Sequence, residues 1–262
     1  MTLDLTMKSF DIMGNTAFVR FSEKFTLKDK KKFAEKIMKD NQVVKTVLEK
    51  KENIKGRLRK LSTNFIAGEN TKEILYRENG CSFRFNIDET YFSPRLSNER
   101  KEIASKIKKN AVVLVMFAGV APFSIVIAKN SKAKKVFSNE LNREANKYAE
   151  LNIKLNKLKD KMELVSGDAK KLPEKLKQKF DVIVMPRPQL KETFLKEAFK
   201  LTKKGTIIYY YDFCKVSEID LIVEKVKQEA KKSKKKIKIL NVKKAGEIAP
   251  YKTRLRVDIK VN

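Results

Sequence analysis

An apolar strand running straight into a turn of small residues and then a helix is the feature that most limits what this chain can become. The residues are Val112-Val113-Leu114-Val115-Met116, then Phe117-Ala118-Gly119-Val120-Ala121, then Pro122-Phe123. An acidic residue, Glu140, stands about twenty positions further on. Small residues let the backbone approach a ligand closely, and the strand end points into a crevice. A carboxylate closing the next strand can then accept both ribose hydroxyls of a nucleoside cofactor. With Gly119 and Ala121 in place of a full glycine fingerprint, the segment taken alone is also compatible with a purely structural strand-turn-helix.

The chain has 262 residues, 42% of them apolar, enough for one α/β domain and a smaller module. Lys and Arg number 61 against 32 Asp and Glu, a formal charge of +29. Such a surplus repels itself unless salt or an anionic partner screens it, so nucleic acid is the expected partner. A lysine-rich or heat-adapted composition is the alternative, but that bias raises both signs and here only the basic one is in excess. Cys81 and Cys214 match no metal-ligand spacing and histidine is absent, so no zinc site and no histidine base are expected. Acid–base chemistry would fall to carboxylates, Lys or Tyr. No apolar run reaches membrane-spanning length and no signal-peptide pattern opens the chain, so a soluble, cytoplasmic protein, expected to be monomeric, is anticipated.

Residues 1–90 read as a small α+β, RNA-binding domain. Residues 10–19 alternate like a hairpin around Gly14-Asn15, residues 27–39 carry apolar positions at helical spacing, and short strands follow through Phe85. The segment 91–109 turns at Ser93-Pro94 and continues as a helix, with Asn98-Glu99-Arg100 on its first turns. From residue 111, strand and helix alternate: strands at 112–116, 134–140, 162–166, 180–185 and 205–211, helices at 122–129, 143–157, 190–203 and 217–233. That order predicts a mostly parallel, doubly wound sheet in a second domain, 91–262. Strands at 237–242 and 254–261, with no helix between them, predict a closing antiparallel pair, the habit of class I (Rossmann-like) methyltransferases. The run Lys231-Lys232-Ser233-Lys234-Lys235-Lys236 reads most simply as a solvated helix end.

Four ordered motifs carry a more specific resemblance: Tyr91-Phe92-Ser93-Pro94-Arg95-Leu96-Ser97-Asn98-Glu99-Arg100, Met116-Phe117-Ala118-Gly119-Val120, Glu140-Leu141-Asn142, and Gly167-Asp168-Ala169. Together they resemble the archaeal and eukaryotic tRNA guanine-37 N1-methyltransferase family and its wyosine-pathway relatives, over nearly the whole chain. The match begins at that family's second domain, so the separate N-terminal domain of longer members would be lacking. The resemblance implies S-adenosyl-L-methionine as cofactor and the anticodon loop of tRNA, at position 37, as partner. Glu140 would take the ribose hydroxyls, with Asn142 adding a hydrogen bond and Phe117 an apolar wall. Asp168, with the Ala169 amide beside it, would receive the adenine amino group. The wyosine relatives add Ser93 and Arg100 as cofactor contacts and Tyr91 beside the methionine moiety. Ser93 is equally suited to capping a helix, and Arg100 to pairing with Glu99 or Glu102. Arg59 and Glu99 match the arginine and glutamate that guanine-methylating members use, one to stabilise charge at the base and one to take its proton. Arg59 lies in Arg57-Leu58-Arg59-Lys60, which would serve equally as a phosphate clamp.

The chain departs from that pattern in two places. Val115 and Ala121 stand where members usually carry Asp and Gly, which puts cofactor affinity in question and leaves room for a non-catalytic tRNA-binding protein. Met185-Pro186-Arg187-Pro188 stands where guanine-methylating members show Asn-Leu-Pro. Pro186 offers neither the side-chain amide nor even a backbone N–H. A Pro-x-Pro at this place resembles wyosine-branch enzymes that methylate carbon 7 of 4-demethylwyosine to give isowyosine. That reading is preferred to guanine-37 N1 methylation, with aminocarboxypropyl transfer a further possibility, and it makes Pro186 a candidate selector of the base.

Overall fold

A computed structural model describes residues 10–51 and 61–262. It contains two compact units, Met1–Phe92 and Ser93–Asn262.

In the first unit, β1 (Asp11–Met13) and β2 (Thr16–Val19) form an antiparallel hairpin. Gly14 in its turn has φ +59°, and a Cβ there would meet the Leu75 carbonyl oxygen at 2.0 Å. Only glycine can occupy that corner. Helix α1 (Leu27–Asp40) starts at a capping box in which Thr26 and Asp29 satisfy each other's backbone amides. It crosses to β3 (Thr46–Lys50), which runs parallel to β2, and β4 (Thr63–Gly68) completes a four-stranded sheet ordered β1-β2-β3-β4. One face of α1 buries Ala34 and Ile37 against Ala17, Val19, Val47 and Ile66. A separate hairpin, β5 (Glu73–Glu78) and β6 (Cys81–Asn86), packs Phe85 flat on Phe92 with ring centroids 4.7 Å apart.

The second unit opens with a 3-10 turn, Pro94–Leu96, and helix α2 (Ser97–Ser105). The alternating part follows as β7 (Val112–Val115), α3 (Pro122–Asn130), β8 (Lys135–Glu140), α4 (Arg143–Leu155), β9 (Met162–Ser166), α5 (Leu172–Lys175), β10 (Phe180–Met185), α6 (Leu195–Lys200), β11 (Thr202–Lys215) and α7 (Ile219–Lys232). It ends on β12 (Ile237–Ala249) and β13 (Lys252–Val261). The sheet order is β12-β13-β11-β10-β7-β8-β9, with β13 antiparallel to both of its neighbours. The doubly wound sheet with a closing hairpin anticipated from the sequence is therefore present. Because β7 lies between β8 and β10, the chain reverses its winding direction at β7, and in open α/β sheets the carboxyl ends of the strands at such a switch point are where ligands bind. Beneath it the core is continuous through Leu114, Met116, Ile183, Met185, Ile208 and Tyr210.

Three expectations need correction. The helix predicted at 190–203 is only Leu195–Lys200, because the Leu190 and Glu192 carbonyls, which a helix would use internally, are taken by the Arg187 side chain. The strand predicted at 205–211 runs through Thr202–Lys215, since Gly205, at φ +88°, sits at an irregularity rather than a break. The closing hairpin is likewise longer, paired from Ala249–Lys252 to Ile237–Val261 with three shifts of register along it. Among the described residues no helix is long and apolar enough to cross a membrane.

Candidate cofactor site and the loop beside it

The turn after β7 is built from left-handed residues: Phe117, Gly119 and Ala121 have φ of 59°, 58° and 68°. This alternation folds the backbone back so that the Gly119 amide faces the end of β8 and donates to Glu140 Oε2 at 2.8 Å. The Asn142 amide donates to Oε1 of the same carboxylate at 2.7 Å. Glu140 is thereby fixed between the two loops of the switch point and remains partly exposed. A carboxylate has about four acceptor positions, and these amides use two, so those that remain fit the two hydroxyls of a vicinal diol placed at this strand end.

Asn142 has a second task. Its side-chain oxygen caps α4, accepting from the Glu144 amide at 3.0 Å and the Ala145 amide at 3.5 Å. That oxygen is engaged in the helix, and the direct contribution of Asn142 at the strand end is its backbone amide. Asp168 stands at the end of β9, its carboxylate accepting from the Lys170 amide at 2.9 Å, and Ala169 beside it is buried. Phe117 supplies an apolar wall, packed edge-on against Phe194 with centroids 5.0 Å apart. These residues can hold a nucleoside by its ribose and its base edge, which is what S-adenosylmethionine would present.

On α2, Arg100 is buried, donates to the Ser93 carbonyl at 3.0 Å and lies over the Phe123 ring at 5.7 Å. The Ser93 side chain makes no cap bond. Glu99 belongs to a buried network. Its Oε1 accepts from the Tyr211 hydroxyl at 2.9 Å and from the Arg256 guanidinium, while Lys243 stands 3.7 Å from Oε2. Arg256 also holds Glu102 at 2.8 Å and Asp258 at 2.7 Å. Burial opposes the charge on Arg256, but these carboxylates outweigh it and hold its pKa above the usual arginine range. In return the Arg256 hydrogen bond holds the Glu102 carboxyl well below the ordinary carboxylate range, against the effect of burial and with help from Lys106 and Lys243. Desolvation, with Asp258 nearby, pushes the Tyr209 hydroxyl up to about 12. The expected proton acceptor is therefore a carboxylate already oriented by a guanidinium and a phenol.

Val115 is fully buried between β8 and β10, paired with Ser138 and Val184. Pro186 is half-buried at the start of a loop whose anchor is Arg187, a residue to which the sequence reading gave no role. Tyr91 lies in the first unit and is partly buried. Arg59 lies outside the described residues. Arg256 and Asn146 were also missed. Asn146 donates to the Glu140 and Asn142 carbonyls, each at 3.0 Å, and so ties α4 to the end of β8. A buried Arg on a strand or an Asn on a helix has no local pattern that could have announced these roles.

Comparison with known proteins identifies the assembly. Residues 74–240 match the TRM5/TYW2 methyltransferase domain, and residues 2–71 match the TYW2 N-terminal domain. The chain is 35% identical over 256 residues to the tRNA (guanine(37)-N(1))-methyltransferase Trm5b of Pyrococcus abyssi, covering 97% of this chain and 75% of that protein. The crystal structure of that relative superposes with a TM-score of 0.84. A second relative, the tRNA (guanine(37)-N(1))/4-demethylwyosine(37)-methyltransferase Taw22 of Nanoarchaeum equitans, is 33% identical over 96% of this chain and 99% of its own length. TYW2 of Pyrococcus horikoshii, solved in complex with MeSAdo, superposes with a TM-score of 0.81 at 25% identity, over 97% of this chain and 90% of that one.

Proposed function

This chain belongs to the TRM5/TYW2 methyltransferase family, and from that premise we propose that it is an S-adenosylmethionine-dependent tRNA methyltransferase whose acceptor is carbon 7 of 4-demethylwyosine at position 37. The cofactor, when bound, supplies a methyl group activated on a sulfonium. Glu140 and Asp168 hold its nucleoside at the ends of β8 and β9, and Phe117 closes the apolar side. Replacing a ring C–H by C–CH3 releases one proton. We assign Glu99 to receive it, with Tyr211 and Arg256 fixing the carboxylate, and Arg59 to steady charge on the base.

The observation that carries the wyosine reading is the half-buried Pro186, at the carboxyl end of β10 and without a side-chain hydrogen-bonding group. A guanine edge needs donors and acceptors around it, whereas a larger tricyclic base can be held by shape and stacking. The similarity to a relative named for 4-demethylwyosine(37) methylation, Taw22, points the same way. Guanine-37 N1 methylation is the second reading, supported by the identity to the Pyrococcus abyssi relative and by the double name of the Nanoarchaeum one.

The deciding experiment gives the protein methyl-labelled cofactor and tRNA carrying either guanosine or 4-demethylwyosine at position 37, with nucleoside mass analysis of the product. Isowyosine from the tricyclic substrate, with little N1-methylguanosine, is expected. Methylation of guanosine alone would establish the second reading. Transfer of a heavier fragment would indicate aminocarboxypropyl chemistry, and no product with either tRNA would leave a binding protein.

A further inference from the structure

We propose that Arg187 is a specificity-positioning residue: paired with Asp212, it clasps residues 186–194 into one loop shape and thereby sets which base is methylated. The inference rests on the function proposed above. Its basis is a buried cation with no catalytic task. The Arg187 side chain is 0% exposed, and one terminal nitrogen sits 2.5 Å from Asp212 Oδ1. The other donates to the carbonyls of Leu190 at 2.5 Å and Glu192 at 2.6 Å. One planar fork thus joins β11 to two points on the loop that follows β10, a geometry that a guanidinium provides and an ammonium does not. Asp212 is itself fixed by the Tyr210 hydroxyl at 2.6 Å and the Phe213 amide at 2.8 Å.

The loop so held reaches the cofactor side at two places. Phe194, at its far end, packs on Phe117, and Glu192 pairs with Lys170 at 2.7 Å in the turn that follows Asp168. Pro186, at its near end, follows directly on the carboxyl end of β10, where the function proposed above would bring the base. The clasp therefore sets the spacing between the base and the transferable group, and a displacement of about 1 Å there is enough to cost roughly a hundredfold in rate. Every partner of the Arg187 guanidinium lies inside the protein, so the clasp is expected to act on kcat rather than on the KM for tRNA.

The test compares Arg187→Lys and Asp212→Asn with the parent, each confirmed as folded by circular dichroism. Methyl transfer to the two position-37 tRNAs, cofactor binding, and amide hydrogen exchange over residues 188–194 are measured. In Arg187→Lys we expect kcat on the preferred tRNA to fall about tenfold or more while its KM and the cofactor Kd hold. The ratio of rates on the two tRNAs should move toward one, and exchange should accelerate in the loop alone. Parental kcat, rate ratio and exchange in a folded variant would overturn the proposal, as would an equal loss on both tRNAs accompanied by weakened cofactor binding. If the parent methylates neither tRNA, the functional reading fails by itself. Exchange then decides the clasp, with faster loop exchange supporting it and unchanged exchange removing it.

Discussion

Glu140 links two loops, since the Gly119 and Asn142 amides both donate to its carboxylate. Glu140→Ala removes the proposed ribose acceptor and frees both amides, so S-adenosylmethionine affinity should fall at least tenfold, from the loss of hydrogen bonds to a charged group at roughly 1.5–3 kcal/mol. Calorimetric titration checks this, and unchanged affinity would remove the site assignment. Ala121 tests the family departure in the same turn. Its left-handed φ of 68° costs about 1–2 kcal/mol in strain that glycine would avoid. Glycine would also lose a buried methyl worth about 0.8 kcal/mol and cost about 0.5–1 kcal/mol in unfolded-state entropy. Ala121→Gly should therefore leave stability within about 1 kcal/mol of the parent in denaturant titration. Glu140 was legible in the sequence because strand, turn and acidic residue recur at a fixed spacing. Arg187 was not: its meaning depends on Asp212, 25 residues away in the chain.

At the scale of elements, one buried arginine holds three together. Arg256 on β13 reaches Glu99 and Glu102 on α2, and Lys243 on β12 completes the group. Arg256→Met would leave Glu99 and Asp258 buried without their main counter-charge, and breaking a buried pair in this way should cost about 3–5 kcal/mol in chemical denaturation. The same network predicts an acid limb. The Glu102 carboxyl is held below its unfolded value chiefly by Arg256, so its contribution is complete above the unfolded pKa and is lost as pH falls from about 4.5 toward the lowered folded value. Parent Tm should decline across that window, and Glu102→Gln should flatten the decline; an identical limb in both proteins would place the acid sensitivity elsewhere. The helices and strands of the alternating region were legible because each has its own period. The predicted helix 190–203 failed because the carbonyls that would have built its first turn serve the Arg187 fork instead. A tertiary competitor of this kind leaves no trace in local propensity.

Over the whole molecule the dominant quantity is the formal charge of +29, which none of the buried pairs alters, because each of them closes on itself. A charge of that size raises the cost of compaction at low salt and draws a polyanion from a distance, and both effects weaken as the Debye length shrinks. If tRNA is held mainly through phosphates, each neutralised phosphate contributes a log–log slope of roughly −0.7 to −0.9. About five such contacts would give a slope near −4 and cost two to three orders of magnitude in affinity between 50 and 200 mM salt. Filter binding or fluorescence anisotropy with one tRNA at several salt concentrations measures the slope directly. Cofactor affinity in the same series should change little if, as proposed, the partly buried Glu140 takes an uncharged diol. A tRNA slope near zero would mean that the basic surplus is compositional and that recognition rests on shape and stacking. A steep slope for tRNA beside a flat one for the cofactor would separate the molecule into a diffuse electrostatic surface that recruits the RNA and a compact polar site that orients the methyl donor.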